Sequence, residues 1–127
     1  MRQKVRILVV EPNDLILGLL ERWLGEADYT VRVAASLRLL ELGGEPPHLI
    51  IIDVPTPRSA EKMISSVRET LSSPILLLSA TFGRATSSSS YAARQLGVRK
   101  ILAKPFTREE LLSAVGESIG TDDGSVR

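Results

Sequence analysis

Cysteine is absent from the sequence, so a disulfide framework, a thiolate metal site and a cysteine nucleophile are all excluded. That absence fits a cytoplasmic location, which is the expected one. Long apolar runs are missing too. The longest, such as 7–10 and 49–52, last about four residues, against the ~20 needed to cross a bilayer. The N-terminus, Met-Arg-Gln-Lys-Val-Arg, passes directly into a strand-like run and lacks the apolar stretch and small-residue cleavage site of a signal peptide. Nor does one sign of charge dominate: sixteen Lys and Arg against fifteen Asp and Glu leave a net charge of +1, which supplies no field that would draw the chain onto nucleic acid. Aromatics are few. Trp23 and Tyr91 each lie among helical neighbours without interleaved basic residues, and read as packing residues, not as a stacking surface for bases.

The 127 residues are 43% hydrophobic and 24% charged, a balance and a size that fit one globular domain. Short β-rich runs alternate with longer segments of helical period, the pattern of βα units around a parallel sheet buried on both faces. Five runs read as strands: Val5–Val10, Thr30–Ala34, Leu49–Asp53, Ile75–Leu78 and Lys100–Ala103. Between the first two, Asp14–Ala27 reads as a helix behind an Asn13/Asp14 cap, where Leu15, Leu19, Trp23 and the flanking Ile16, Leu20 and Leu24 recur at helical spacing and Trp23 is expected to be buried on one stripe with Leu15, Leu19 and Leu20. A shorter helix is expected over Ser36–Leu42, stopped by Gly43-Gly44 and Pro46-Pro47. A third is expected from near Ser59, with Met63, Ile64, Val67 and Leu71 inward. The segment from Phe82 to Leu96, with Gly83, Thr86 and Ser87–Ser90, is poor in helix formers, and is expected to be a late or mobile helix. The last helix opens with the capping-box signature Thr107-Arg108-Glu109-Glu110 and is expected to bury Leu111, Leu112, Val115 and Ile119. The domain is thus expected over residues 1–119, with 120–127 as a frayed tail.

Five βα units with right-handed crossovers make a doubly wound α/β sheet, whose binding crevice lies at the carboxyl ends of the strands. The residues at those ends are Glu11, Asp53, Ser79 and Lys104. Two carboxylates, a hydroxyl and a lysine converging from four strands form an acid site able to hold a divalent cation and an oxyanion. Phosphate fits that description. Phosphoryl transfer asks mainly for positioning and for positive charge on the equatorial oxygens, so an aspartate nucleophile, a magnesium ion, a lysine and a hydroxyl suffice.

The ordered set Ile7-Leu8-Val9-Val10-Glu11, Pro47-His48-Leu49-Ile50-Ile51-Ile52-Asp53 with Pro57 four residues on, Pro74-Ile75-Leu76-Leu77-Leu78-Ser79-Ala80, Gly97 and Lys104-Pro105-Phe106 resembles the receiver domain of two-component response regulators along almost the whole chain. The resemblance implies a flavodoxin-like sheet of order 2-1-3-4-5 with helices on both faces. It also implies that Asp53 accepts a phosphoryl group from a histidine kinase or phosphotransfer protein. Ser79 would hydrogen-bond that group and Lys104 would pair with one of its oxygens. Glu11, Asp53 and the backbone carbonyl of Pro55 would hold magnesium.

Departures from the family pattern shape the expectation. The paired acids after the first strand read Glu11-Pro12, and proline brings no carboxylate, so magnesium is expected to bind weakly. Asn13 and Asp14 could reach inward, but Asp14 reads as a helix cap. The family's aromatic switch position is Ile101, and Arg58-Ser59-Ala60-Glu61 stands where an Asp-Gly step is common. The output surface is expected to include Arg84 to Leu96, where weak helix propensity makes displacement easy.

Each site residue also has a plainer reading. Asp53 taken alone is a strand-end cap or ion-pair partner, Lys104 a solvated charge, and Ser79 a turn residue bonded to nearby backbone. His48 reads as a loop residue, and a lone histidine makes neither a metal site nor a phosphodonor site. Ser87–Ser90 reads as a flexible insert. The leading expectation is a stand-alone receiver, not an enzyme, that works in a phosphorelay or signals to a downstream partner protein through surface contact. The alternative is a pseudo-receiver, a protein-interaction module independent of phosphorylation. A nucleotide- or flavin-binding enzyme is disfavoured because the first βα turn, Glu-Pro-Asn-Asp, has no glycine-rich phosphate cradle.

Overall fold

The computed structural model describes residues 5–34, 46–55, 57–80 and 92–124. In chain order the elements are β1 (Arg6–Val10), α1 (Asp14–Glu26), β2 (Thr30–Ala34), β3 (Leu49–Asp53), α2 (Pro57–Arg68), β4 (Ile75–Ser79), β5 (Lys100–Ala103) and α3 (Arg108–Gly124). The five strands form one parallel sheet in the order β2-β1-β3-β4-β5. The expected fold and strand order are those observed.

The near-continuous apolar runs follow from burial on both faces, since successive side chains of a strand point to opposite sides. Leu8, Val10, Ile50, Ile52, Ile75 and Leu77 pack towards Ala60, Ile64 and Val67 of α2. Their neighbours Ile7, Val9, Leu49, Ile51, Leu76 and Leu78 pack towards Leu20 and Leu24 of α1 and Leu111, Ala114 and Val115 of α3. Each such side chain, taken fully out of water, contributes roughly 1.5–3 kcal/mol, so the two layers clamp the central strands and fix where they end.

Helix α1 departs from the expected stripe. Leu20 and Leu24 are buried, but Leu15 is 82% and Leu19 45% exposed. At about 100° per residue Leu19 cannot share the facing of Leu20, and Ile16, one turn before Leu20, packs on the core instead of Leu15. Trp23 is half-buried at the margin of the α1–α3 layer, not central to it. The cap is Asn13, whose Oδ1 accepts the N–H groups of Leu15 (2.9 Å) and Ile16 (3.1 Å). Asp14 is the first helical residue and is exposed, so the reading of Asp14 as the cap is corrected.

Helix α2 begins at Pro57, two residues before the expected start, at the first helical position where proline's missing N–H is no loss. The capping box at α3 is complete: Thr107 N–H donates to Glu110 Oε1 (2.9 Å) and Glu110 N–H to Thr107 Oγ1 (3.0 Å). That helix continues to Gly124, beyond the Ile119 boundary expected from its stripe, because an apolar stripe marks only the part of a helix that touches the sheet. The segment Ser36–Leu42 and its Gly43-Gly44 stop, Tyr91, and residues 84–91 with the serine run lie outside the described residues. Residues 92–96 are helical and end at Gly97, whose φ of +75° is the left-handed conformation that glycine adopts without penalty.

Candidate functional site

Glu11 leaves the sheet directly after β1, and its N–H donates to Ala34 O at the end of β2 (3.1 Å). The side chain is folded inward and is 1% exposed. Oε2 accepts the Asn13 N–H at 3.2 Å, and Oε1 lies 3.3 Å from Lys104 Nζ. Asp53 closes β3, and its Oδ1 lies 2.5 Å from the same Nζ. The crevice therefore holds a three-membered chain, Glu11–Lys104–Asp53, drawn from β1, β3 and the turn after β5. Lys104 is tied to the end of β4 by its N–H, which donates to Ser79 O (2.9 Å).

Ser79 is the last residue of β4 and is fully buried. In the ladder Asp53 stands opposite Leu78 and Ser79 opposite Ala103, so Ser79 lies one step beyond Asp53 at the same end of the sheet. Pro55 follows on the exposed side of the turn. Ile101 is 4% exposed and packed in the α2-side core.

Loss of water raises the Glu11 carboxyl above its ordinary value of 4.5. The Asn13 N–H opposes the rise, the Asp53 charge adds to it, and Lys104 opposes it by charge and by hydrogen bond.

Among the described residues no three of His, Cys, Asp and Glu gather in one place. Pro12 is exposed and brings no oxygen donor in its side chain, Asn13 spends its Oδ1 on the helix cap, and both remaining carboxylates are joined to Lys104. The residues do not fit a divalent ion in this arrangement.

A profile of the response regulator receiver domain matches residues 7–116. The chain belongs to that family. This receiver is 34% identical over 112 residues to YrkP, a transcriptional regulatory protein of Bacillus subtilis, covering 87% of this chain and 47% of that protein. It is 27% identical over 121 residues to a protein-glutamate methylesterase/protein-glutamine glutaminase of Nitrobacter winogradskyi, covering 88% of this chain and 28% of the other. The receiver thus spans less than half the length of either relative. In fold it is similar to a response regulator of Thermotoga maritima (TM-score 0.74, 19% identity, 93% of this chain and 99% of that one). It is also similar to the chemotaxis response regulator CheY4 of Vibrio cholerae (TM-score 0.67, 24% identity, 91% and 99%). The chain is therefore a receiver domain of two-component signalling, and among the described residues no helix is long and apolar enough to cross a membrane.

All four sequence-predicted side chains come to one end of the sheet, and three of them touch. Sequence reasoning missed the direct pairing of Lys104 with Glu11, having given one to phosphate and the other to metal. Opposite charges at neighbouring strand ends were the available signal. His48 is placed at the other end of β3, where its Nδ1 accepts the Arg6 N–H (2.9 Å) and its own N–H donates to Arg6 O (2.8 Å).

Proposed function

We propose that this receiver accepts a phosphoryl group on Asp53 from a histidine kinase or phosphotransfer protein and passes the signal to a downstream partner protein by surface contact. The observation that carries this reading is the ion pair between Lys104 and Asp53 in a crevice with the buried Glu11. An Asp53 oxygen forms the new bond to phosphorus while the bond from phosphorus to the donor breaks, and the electron pair leaves with the donor. Lys104, already within reach, offsets charge on the transferred oxygens, and the Ser79 hydroxyl is the neighbouring donor. Magnesium binds at most weakly in this reading, since both carboxylates are already joined to Lys104. The apolar face left uncovered at Leu15 and Leu19, on the helix that starts three residues after Glu11, is where the donor protein would rest.

Acetyl-phosphate labelling or beryllofluoride titration, with and without magnesium, tests the reading. Labelling is expected in the wild type, faster in Pro12→Asp, and absent in Asp53→Asn. A second reading, a phosphorylation-independent interaction module with no enzymatic role, is favoured by Pro12 and by the buried Ile101, which removes the aromatic from the switch position. No labelling even of Pro12→Asp would establish that second reading.

A further inference from the structure

We propose that the Lys104 ammonium is the resident cation of the unphosphorylated crevice, bridging Glu11 and Asp53 and excluding a divalent ion from them. Its Nζ is 3.3 Å from Glu11 Oε1 and 2.5 Å from Asp53 Oδ1, and the three side chains are 17%, 1% and 15% exposed, respectively. The remaining Glu11 oxygen is taken by the Asn13 N–H. Two carboxylates and one ammonium leave a single negative charge, and Pro12 adds none. A magnesium ion that touched both carboxylates would have to break both ion pairs. It would then leave a mostly buried ammonium beside a double positive charge, with no third acid gathered at the crevice among the described residues. Magnesium also gives up its own waters reluctantly, so nothing on its side offsets that loss. The covalent tether gives Lys104 a standing advantage over any ion in solution, since its translational freedom is already spent in folding. A crevice of this kind is neutralised by its own chain, and its charge does not follow the magnesium concentration of its surroundings.

The inference concerns the protein before any phosphoryl group arrives, so it stands or falls separately from phosphoryl acceptance by Asp53. The test is a magnesium titration by calorimetry on chelator-treated full chain, with no phosphodonor present, alongside thermal unfolding. The wild type is expected to bind magnesium no tighter than millimolar, with its Tm unmoved by the metal. Lys104→Met is expected to bind on the order of tenfold tighter or more, because a like charge has been removed from the ion's neighbourhood. Its Tm is expected to be lowered in chelator and raised again by magnesium, as binding to the folded state alone requires. Lys104→Arg, which keeps the charge, is expected to exclude the metal as the wild type does. Sub-millimolar binding by the wild type, or equal affinity in Lys104→Met and wild type, overturns the proposal. Should Lys104→Met fail to fold, magnesium titration of the wild type followed by NMR decides. Lys104 side-chain signals moving in step with the Asp53 amide, or neither responding, upholds exclusion. An Asp53 response with Lys104 fixed shows the two cations side by side and overturns it.

Discussion

Burial of Glu11 sets the pH behaviour of the site. Because loss of water raises its carboxyl above 4.5 in the folded chain, the folded protein keeps a proton there at pH values where the unfolded chain has lost it. Folding then takes up a proton, and the Glu11 contribution to stability, fully present below 4.5, is lost as pH rises through the raised value. Glu11→Gln cannot titrate. In chemical denaturation without magnesium, its unfolding free energy relative to the wild type is expected to be flat below pH 4.5 and to climb across that window. A relative stability that falls there would mean that Lys104 and Asn13 outweigh burial. At this scale the sequence was informative because Glu11, Asp53, Ser79 and Lys104 each end or follow an apolar strand run, and the end of a run is visible without coordinates. The partner of each was not. Ion pairing between residues 93 positions apart depends on the relative twist and spacing of strands, which no local pattern encodes.

The helices show where periodicity is a good guide and where it slips. In α1 the sequence has leucines or isoleucine at positions 15, 16, 17, 19, 20 and 24, more apolar residues than one face can hold, so the pattern allowed two stripes a turn-fraction apart. Burial chose Ile16, Leu20 and Leu24. The capping box of α3, in contrast, is a fixed spacing of named side chains and was fully legible. Two glycines give opposite expectations for the same substitution. Gly18 lies inside α1, and an added Cβ would meet nothing within 4 Å, so Gly18→Ala is expected to stabilise by about 1 kcal/mol through backbone propensity. Gly97 also has open space, but its φ is +75°, so Gly97→Ala is expected to destabilise by roughly 1–2 kcal/mol. Urea unfolding of both variants checks the pair. A stabilising Gly97→Ala would show that the turn after residues 92–96 relaxes to negative φ.

Across the whole molecule, the order β2-β1-β3-β4-β5 puts the chemistry and the uncovered apolar surface at neighbouring places. The crevice is formed where β1, β3 and β4 end, and α1 leaves from the same edge, carrying Leu15 in its first turn and Leu19 one turn later. This topology was readable because the three central strands, β1, β3 and β4, carry near-unbroken runs of Val, Ile and Leu, which only a sheet covered on both faces accepts. The exposure of Leu15 and Leu19 was not, since a leucine in a helix looks the same whether the chain's own sheet or another protein is to cover it. That ambiguity supplies the final test of the proposed phosphodonor. A small donor such as acetyl phosphate needs only the crevice, whereas a phosphotransfer protein must also rest on the surface beside it. Leu15→Glu with Leu19→Glu replaces exposed side chains, so the change in stability is expected to stay within about 0.5 kcal/mol per site. Labelling by acetyl phosphate is expected to be unchanged, while transfer from the protein donor, measured as kcat/KM, is expected to fall by roughly tenfold or more, as loss of anchoring apolar contacts at an interface does. Equal loss with both donors would mean that the substitutions disturb the crevice itself. No loss with either would place the donor on another face, and Leu15 and Leu19 would then belong to a different partner.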